Sequence, residues 1–374
     1  MGYVAVQGGA EAIRESILLA RYENCLDGTS ISLTEIKANL KKMVDSVMSE
    51  SSLYSPDLAA LALKQAQGDP FEAIFLLRAH RSTLPRLYFT TVTDTAEMRV
   101  ERRISASFKD ILGGQILGAS PDYQHRLLNW DLINETEADV IAFRDQYYAA
   151  ILNAMEKTAE ASFEEEGRFP KVVDSLRAQN LIPQPVLCDE EPRDITMEPL
   201  VFPSARSLRL QILTRGMTGA VTALGYAKIR GYGFNNHPTI GELRVGYLPL
   251  YVTSELSGVC EEYYIGEIEV TEVEAFMEED RQEADEKNQL GIGLGYGLCF
   301  GANEIKAIAM SVLEHSMENP TPGDPTSDEE FVLLHVDTVE ATGFVSHLKL
   351  PHYVTFQSKL DRIRDVQRGN NHHA

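Results

Sequence analysis

Apolar positions recur along this chain at two different periods, and the switch between them divides it. In SLTEIKANLKKMVDSVMSE, Ile36, Leu40, Met43 and Val47 return at helical spacing and predict one amphipathic helix. Ser32 and Glu35 form a capping-box pattern at its start, each side chain able to satisfy a free backbone N–H of the first turn. Before it, Val4 and Val6 alternate in a short strand, and GGAEAIRESILLARYENC reads as a helix after a Gly-Gly turn. SPDLAALALKQAQG puts Pro56 in a first helical turn, and Asp69-Pro70 opens a fourth helix, DPFEAIFLLRAH. Residues 1–82 therefore read as a mostly helical N-terminal lobe.

Strand-like runs take over next. RLYFTTV and MRVERRISASF predict strands. Residues 136–163 predict a long helix capped near Asn134 or Thr136. Prolines at 183, 185, 192, 199 and 203 mark a boundary, so 83–182 and 183–374 read as further units. The last unit predicts a helical pair over 204–228, strands over 240–252 and 262–274, a glycine-rich strand or turn over 291–301, and helices over 302–318 and 352–367. Strands and helices mix without steady alternation. The expected class is α+β, with a helical lobe on a mixed body, rather than a doubly wound Rossmann sheet.

The glycine-rich segment GIGLGYGLCFG does not match G-x-G-x-x-G. Its glycines at 291, 293, 295, 297 and 301 share one strand face, which opens that face to another backbone or to a ligand.

The 374 residues are 44% hydrophobic, enough for a real core, and contain no apolar run long enough to span a membrane. The N-terminus lacks a signal-peptide layout, and Val6 breaks the myristoylation pattern that Gly2 would begin. Four scattered cysteines without a C-x-x-C fit thiols in a reducing cytoplasm. A formal charge of −22 excludes binding duplex nucleic acid through the overall field. That charge is uneven. Residues 261–286 carry twelve acids against Arg281 and read as a solvated strand and loop. Residues 203–246 carry Arg206, Arg209, Arg215, Lys228, Arg230 and Arg244 against Glu242. Such an island suits either an anionic ligand or salt bridges to the acidic segments.

Phosphate-loop, H-E-x-x-H and G-x-S-x-G motifs are absent. Three patches remain as candidate sites. Arg206 and Arg209 share a helical face near a helix start, where guanidiniums and free N–H groups suit phosphate oxygens. Residues 101–132 gather Arg102, Arg103, Lys109, Asp110, Gln115, Asp122 and His125 around Gly113-Gly114. HVDTVEATGFVSHLKLPHYVTF holds His335, His347 and His352, the last two separated by a bend at Pro351 that can bring both onto one ion. His335, Asp337, water, substrate or another subunit would have to complete such a metal shell. Spacing alone leaves a metal site and packed histidines both open.

Taken in order, these patches resemble one family. The segments are YVAVQGGAEAI, LAALALKQAQGDPFEAIFLLRAHRSTL, MRVERRISASFKDILGGQILG, DYQHRLL, RGYG with NHP and GELRVGY, GYGLCFG, and DEEFVLLHVDTVEATGFVSHLKLPHYVTFQSKL. They are similar to PhnI, a subunit of the bacterial carbon–phosphorus lyase core complex and of ribose 1-methylphosphonate 5-triphosphate synthase. The resemblance implies an enzyme of phosphonate catabolism. It would displace the purine of ATP or GTP with methylphosphonate, and act alone as a nucleosidase. It implies partner subunits G, H, J and L, and a divalent metal, usually zinc, on the pair matching His347 and His352.

N-glycosidic cleavage develops positive charge on the ribose, which carboxylates can steady, while acids protonate the leaving base. Asp110, Asp122 and Glu242 are the candidates. Lys109, Gln115, Arg206, Arg209, Arg230 and Arg244 are candidates for substrate contact. A scaffold without chemistry of its own and a metal-dependent hydrolase are the alternatives.

Overall fold

A computed structural model describes residues 9–26, 28–158, 169–185, 191–231, 237–254, 261–282 and 288–370. The strand expected on Val4 and Val6 lies outside these residues. The first helix, α1, covers Gly9–Glu23. The capping box forms as expected: Glu35 N–H donates to Ser32 Oγ at 3.1 Å and Ser32 N–H to Glu35 Oε2 at 2.5 Å.

The helix it starts is not continuous. α2 (Leu33–Asn39) and α3 (Lys41–Ser51) meet at Leu40, whose φ of −116° and ψ of 31° leave the helical region. The break leaves Leu40 exposed and turns Asp45, Ser49, Glu50 and Ser51 of α3 inward. Asp45, Ser49 and Glu50 find partners on distant segments, at Ala302, Thr214, Thr218 and Thr338, and that satisfaction outweighs an uninterrupted helix. α4 (Pro56–Gln65) and α5 (Pro70–Ser82) begin at the expected prolines, capped by Ser55 and Asp69. Val47, Met48, Leu63, Ile74 and Leu77 form the core of this helical region.

RLYFTTV is not a strand. It contributes a single bridge, Thr90 to Val252, and Leu87 and Phe89 stay exposed. Strand β1 is Arg99–Ile104, within the second predicted run. With β2 (Thr239–Ser254), β3 (Glu261–Gln282) and β4 (Asn288–Phe300) it forms one antiparallel sheet in the order β1-β2-β3-β4. The body is therefore α+β.

Register decides what each face carries. Leu243 pairs with Val273, and Val273 with Gly297; this row faces helices. α8 (Arg206–Arg215), α9 (Thr218–Gly231), α10 (Glu304–Glu318) and α11 (Glu329–His335) cover that face, with Leu213, Val221, Met310 and Leu313 in its core. The glycine strand does what its pattern predicts. A Cβ on Gly295 would stand 2.2 Å from Ser311 O and one on Gly297 2.1 Å from Ala307 O, so α10 lies directly on β4. The free edge of β4 is covered by side chains. Tyr296 N–H donates to Glu314 at 3.0 Å, and Thr214 Oγ1 to Leu298 O at 2.6 Å.

The long helix α6 is Glu137–Thr158, capped by Thr136, whose Oγ1 accepts from Asp139 N–H at 3.3 Å. Three short helices were not legible in the sequence as separate elements: α7 (Val172–Ala178), α11 and α12 (Thr338–Ser346). α13 is Tyr353–Asn370. None of the described helices is long and apolar enough to cross a membrane.

The acidic run corrects an expectation. It lies on a solvated strand only in part: Glu261, Glu262, Glu267 and Glu278 are exposed, but Glu269, Glu272 and Glu274 are buried in the interior strand β3, and residues 283–286 lie outside the described residues. Cationic partners reach each of the buried three, which offsets the cost of taking carboxylates out of water.

Candidate functional site

Arg103, Arg244 and Glu272 stand side by side across three strands, because Arg103 pairs with Arg244 and Arg244 with Glu272. One step along, Glu242 pairs with Glu274 and Glu274 with Tyr296. Successive strand residues alternate faces, so these six side chains share the face opposite α10. They form a buried layer of charge. Arg103 Nε donates to Glu242 Oε1 at 2.5 Å, and Arg244 pairs with Glu272. Lys171 Nζ bridges Glu272 at 2.7 Å and Glu274 at 3.1 Å. Tyr296 and Thr95 hydroxyls donate to Glu272 at 2.9 and 2.6 Å, and Val172 N–H donates to Glu242 at 3.0 Å.

Burial alone would raise Glu272, but Arg244 and Lys171 outweigh it and hold the carboxyl down to about 2. Glu274 goes the other way: burial lifts it, and the charge of Glu272 adds to the rise. Burial, with Glu272 alongside, also pushes the Tyr296 hydroxyl well up. Two buried atoms, Arg244 Nη1 and Glu274 Oε2, have no hydrogen-bond partner.

This layer anchors the loop that follows β1. Arg103 Nη1 donates to Leu112 O at 2.6 Å and Gly114 O at 3.3 Å, Nη2 reaches Pro170 O at 2.8 Å, and the guanidinium lies over Phe169. Gly113 and Gly114 turn with φ of +85° and +76°, a region glycine enters without strain. From the other face, Arg102 Nη2 holds Asp122 at 2.5 Å and Nε holds Glu304 at 2.8 Å. Gln115 closes the loop, accepting from Ser105 N–H and donating to Phe108 O and Lys109 O. Lys109 and Asp110 sit exposed on this restrained loop.

Beside it opens a cleft of about 660 Å³. Phe276, Ile292 and Leu176 give it apolar walls, and Ser107, His237, Thr239 and Glu278 bring polar groups to it. His237 Nδ1 lies 2.8 Å from Pro238 O, which leaves Nε2 as the reactive nitrogen. An apolar cleft with a few convergent polar groups is the usual form of a small-molecule site.

The structure thus brings Glu242, Arg244, Gln115, Lys109 and Asp110 to one region, with Asp122 on the far side of β1. Glu242 and Arg244 are 2% and 1% exposed and engaged with charged partners; Asp110 is open to solvent. Arg206 and Arg209 lie elsewhere, at the start of α8. Arg206 Nε holds Glu314 at 2.6 Å; Arg209 holds Glu318 and donates to Ser204 O at 2.8 Å. Arg230 is exposed near the end of α9. The region contains residues that sequence reading missed: Thr95, Lys171, Glu272, Glu274 and Tyr296. The spacing of Glu272 and Glu274 two apart, matching Glu242 and Arg244, was the available signal.

His347 and His352 meet at the bend between α12 and α13, their rings 5.4 Å apart between centroids. The Nδ1 of His352 lies 2.6 Å from Leu350 O, and that of His347 contacts Phe344 O. Such contacts fix the tautomer and leave both Nε2 atoms free, the arrangement of metal-ligating histidines. Asp337 is spent elsewhere: it caps α12 and takes both Oδ atoms to Arg78. Among the described residues, no group of three or more His, Cys, Asp or Glu is placed to hold a metal ion.

Comparison with known proteins adds the family. Residues 2–370 match the family model described as bacterial phosphonate metabolism protein (PhnI). The chain is 44% identical to HtxH of Stutzerimonas stutzeri over 375 residues, covering 98% of this chain and 96% of that one. It is 42% identical, over 99% of both chains, to the alpha-D-ribose 1-methylphosphonate 5-triphosphate synthase subunit PhnI of Escherichia coli strain K12. The same-named subunit of Rhizobium meliloti strain 1021 is 40% identical, over 98% of this chain and 95% of that one.

Proposed function

Because the chain belongs to the PhnI family of bacterial phosphonate metabolism proteins, we propose that it joins methylphosphonate to the ribose C1 of a purine nucleoside triphosphate. The reaction displaces the base of ATP or GTP and yields ribose 1-methylphosphonate 5-triphosphate. The observation that carries this reading is the end-to-end likeness, 42% identity over 99% of both chains, to a relative named as that synthase subunit. With water in place of phosphonate, the same chemistry makes the isolated chain a nucleosidase.

The cleft beside the β1 loop supports a site for such cleavage. Its apolar walls suit a planar base, and the His237 ring, when it carries a proton on Nε2 as well as on Nδ1, can give the Nε2 proton to the leaving nitrogen. Asp110, exposed on a loop pinned by Arg103 and Gln115, is the carboxylate best placed to steady positive charge on the ribose. Glu242 in this reading is a positioning group, because Arg103 and Val172 N–H already occupy its oxygens. Asp122 is likewise tied to Arg102 and shapes the loop rather than meeting substrate. Lys109 and Arg230 remain open for phosphate contact.

His347 and His352 fit two positions of a zinc shell, since imidazole nitrogens suit that ion and both Nε2 atoms are free. Zinc bound there would supply Lewis-acid character or a cross-link between chains. The remaining ligands would come from water or another subunit. Phe344, Val345, Leu348 and Val354 surround the pair and are exposed, as are Phe143, Tyr147 and Tyr148 on α6. Such apolar surface suits a member of an assembly, here with subunits G, H, J and L.

The test is base release. Purified chain, alone and with subunits G, H and L plus methylphosphonate, is incubated with ATP and with GTP, and free purine is measured by chromatography. Purine release by the chain alone supports the nucleosidase reading. No release alone but release in the assembly leaves the catalytic role to the complex, and no release in either sinks the reading.

A further inference from the structure

Glu278 brings a carboxylate to the wall of the cleft, and the reading above gives it no task. It follows Phe276 on the same face of β3, about 7 Å along the strand, and pairs across the sheet with Ile292. A Cβ on Gly241 would stand 2.3 Å from the Phe276 ring, so that ring lies against the backbone of β2. Thr239 pairs with Phe276, which brings His237, two residues earlier, to the same end of the cleft as Glu278, two residues later. The neighbouring glutamates of β3 are spent. Glu272 and Glu274 hold Arg244 and Lys171, and Glu279, on the other face, meets His315 at 2.6 Å. Among the described residues, Glu278 meets no cation and accepts no hydrogen bond.

The polar groups of the cleft sort by what they offer a ligand. An ionised carboxylate only accepts. Ser107 Oγ has given its proton to Ile240 O at 3.0 Å, so it lines the cleft as an acceptor too. The Thr239 hydroxyl rotates to either role, and His237 is used on the leaving nitrogen. A base read here must therefore bring donors. Guanine carries N1–H and the N2 amino group side by side, a fork that matches two carboxylate oxygens as a guanidinium does. Adenine sets its N6 amino group beside N1, whose lone pair would face the carboxylate. Hypoxanthine keeps N1–H and lacks the N2 amino group. A carboxylate in this place accepts from the edge of one base and repels that of another.

We propose that Glu278 selects the base, accepting from N1–H and N2–H of a guanine seated in the cleft, so that GTP is preferred to ATP. This role rests on the base-release reading and narrows its substrate. Phe276 and Ile292 supply apolar surface to the ring, and Glu278 sets which edge the ring presents. Glu278 acts in recognition and moves no proton. Its effect therefore shows in the ratio of kcat/KM between nucleotides, and not as a loss of turnover common to all of them.

Base release from GTP, ITP and ATP under identical conditions tests it, with the chain alone or, where only the assembly releases purine, with the assembly and methylphosphonate. The wild-type chain is expected to prefer GTP to ATP about tenfold or more in kcat/KM, with ITP between them. Glu278→Gln offers a donor beside an acceptor, so it is expected to remove that preference while turnover of ATP holds or rises. Glu278→Asp keeps the carboxylate and should keep the order. Glu262→Gln, at the exposed far end of β3, is the control and leaves the ratio unchanged. Glu278 is exposed, so its variants should fold, and the wild-type ranking of nucleotides needs no variant. Equal efficiency with GTP and ATP in the wild type overturns the role of Glu278 and leaves the base-release reading standing. A GTP preference that survives Glu278→Gln does the same. No purine from any nucleotide, alone or in the assembly, ends both.

Discussion

Arg103 and Glu242 face each other at 2.5 Å, 0% and 2% exposed, and between them hold the loop that carries Asp110. A pair so buried fixes geometry more than it adds stability, because both charges were taken from water. Removing one partner leaves the other uncompensated. Glu242→Ala is expected to cost about 3–5 kcal/mol in denaturant unfolding. Asp110→Ala, at an exposed position, should leave unfolding unchanged and abolish base release. The reverse pattern would exchange their roles.

Acid stability should follow the carboxyls of the charge layer and of Asp337. Glu272 falls from 4.5 to about 2, with burial opposing and Arg244 and Lys171 prevailing; Asp337 is also lowered, with burial opposing and Arg78 prevailing. A lowered folded pKa stabilises above the unfolded value, and that contribution is lost as pH falls through the folded one. Stability is therefore expected to drop between about pH 4.5 and 2. Glu274, raised by burial, acts with opposite sign and blunts the loss. Lys41 rises to about 12: burial opposes, but hydrogen bonds to Glu269 and Asp45 prevail. Its contribution holds below 10.5 and disappears as pH passes about 12. Thermal unfolding across pH checks both limbs, and Glu272→Gln should flatten the acid one.

The seat of α10 on β4 should not tolerate a methyl group. Gly295→Ala and Gly297→Ala put Cβ within 2.2 and 2.1 Å of helix carbonyl oxygens, where backbone must move. Each is expected to lose about 1–3 kcal/mol or more. Gly343→Ala in α12 meets nothing within 4 Å and should gain up to about 1 kcal/mol from helix propensity. Equal melting temperatures for all three would refute the close approach.

Metal content reads the histidine pair directly. His347→Ala and His352→Ala, both in exposed surroundings, should keep the melting temperature of the apo-chain. Each should lower bound zinc, measured by elemental analysis after dialysis, to background. Retention of zinc in both variants would place the metal elsewhere.

The amino-acid sequence by itself determined the local elements. Ser32 with Glu35, Pro56, and Asp69 with Pro70 start helices where they were expected, since capping needs only neighbouring residues. The alternating glycines foretold a strand face open to close approach. Tertiary structure decided the rest. Leu40 interrupts a helix that periodicity would have continued, so that Asp45 and Glu50 can reach partners more than 160 residues away. RLYFTTV has strand propensity but gains only one bridge from the sheet. Only strand register could place Arg103 beside Arg244 and Glu272, bringing one part of the acidic run and one cation of the basic island into a single buried layer. Composition showed that both signs of charge were present. Which cation met which carboxylate depends on distances between strands and helices that no local pattern encodes.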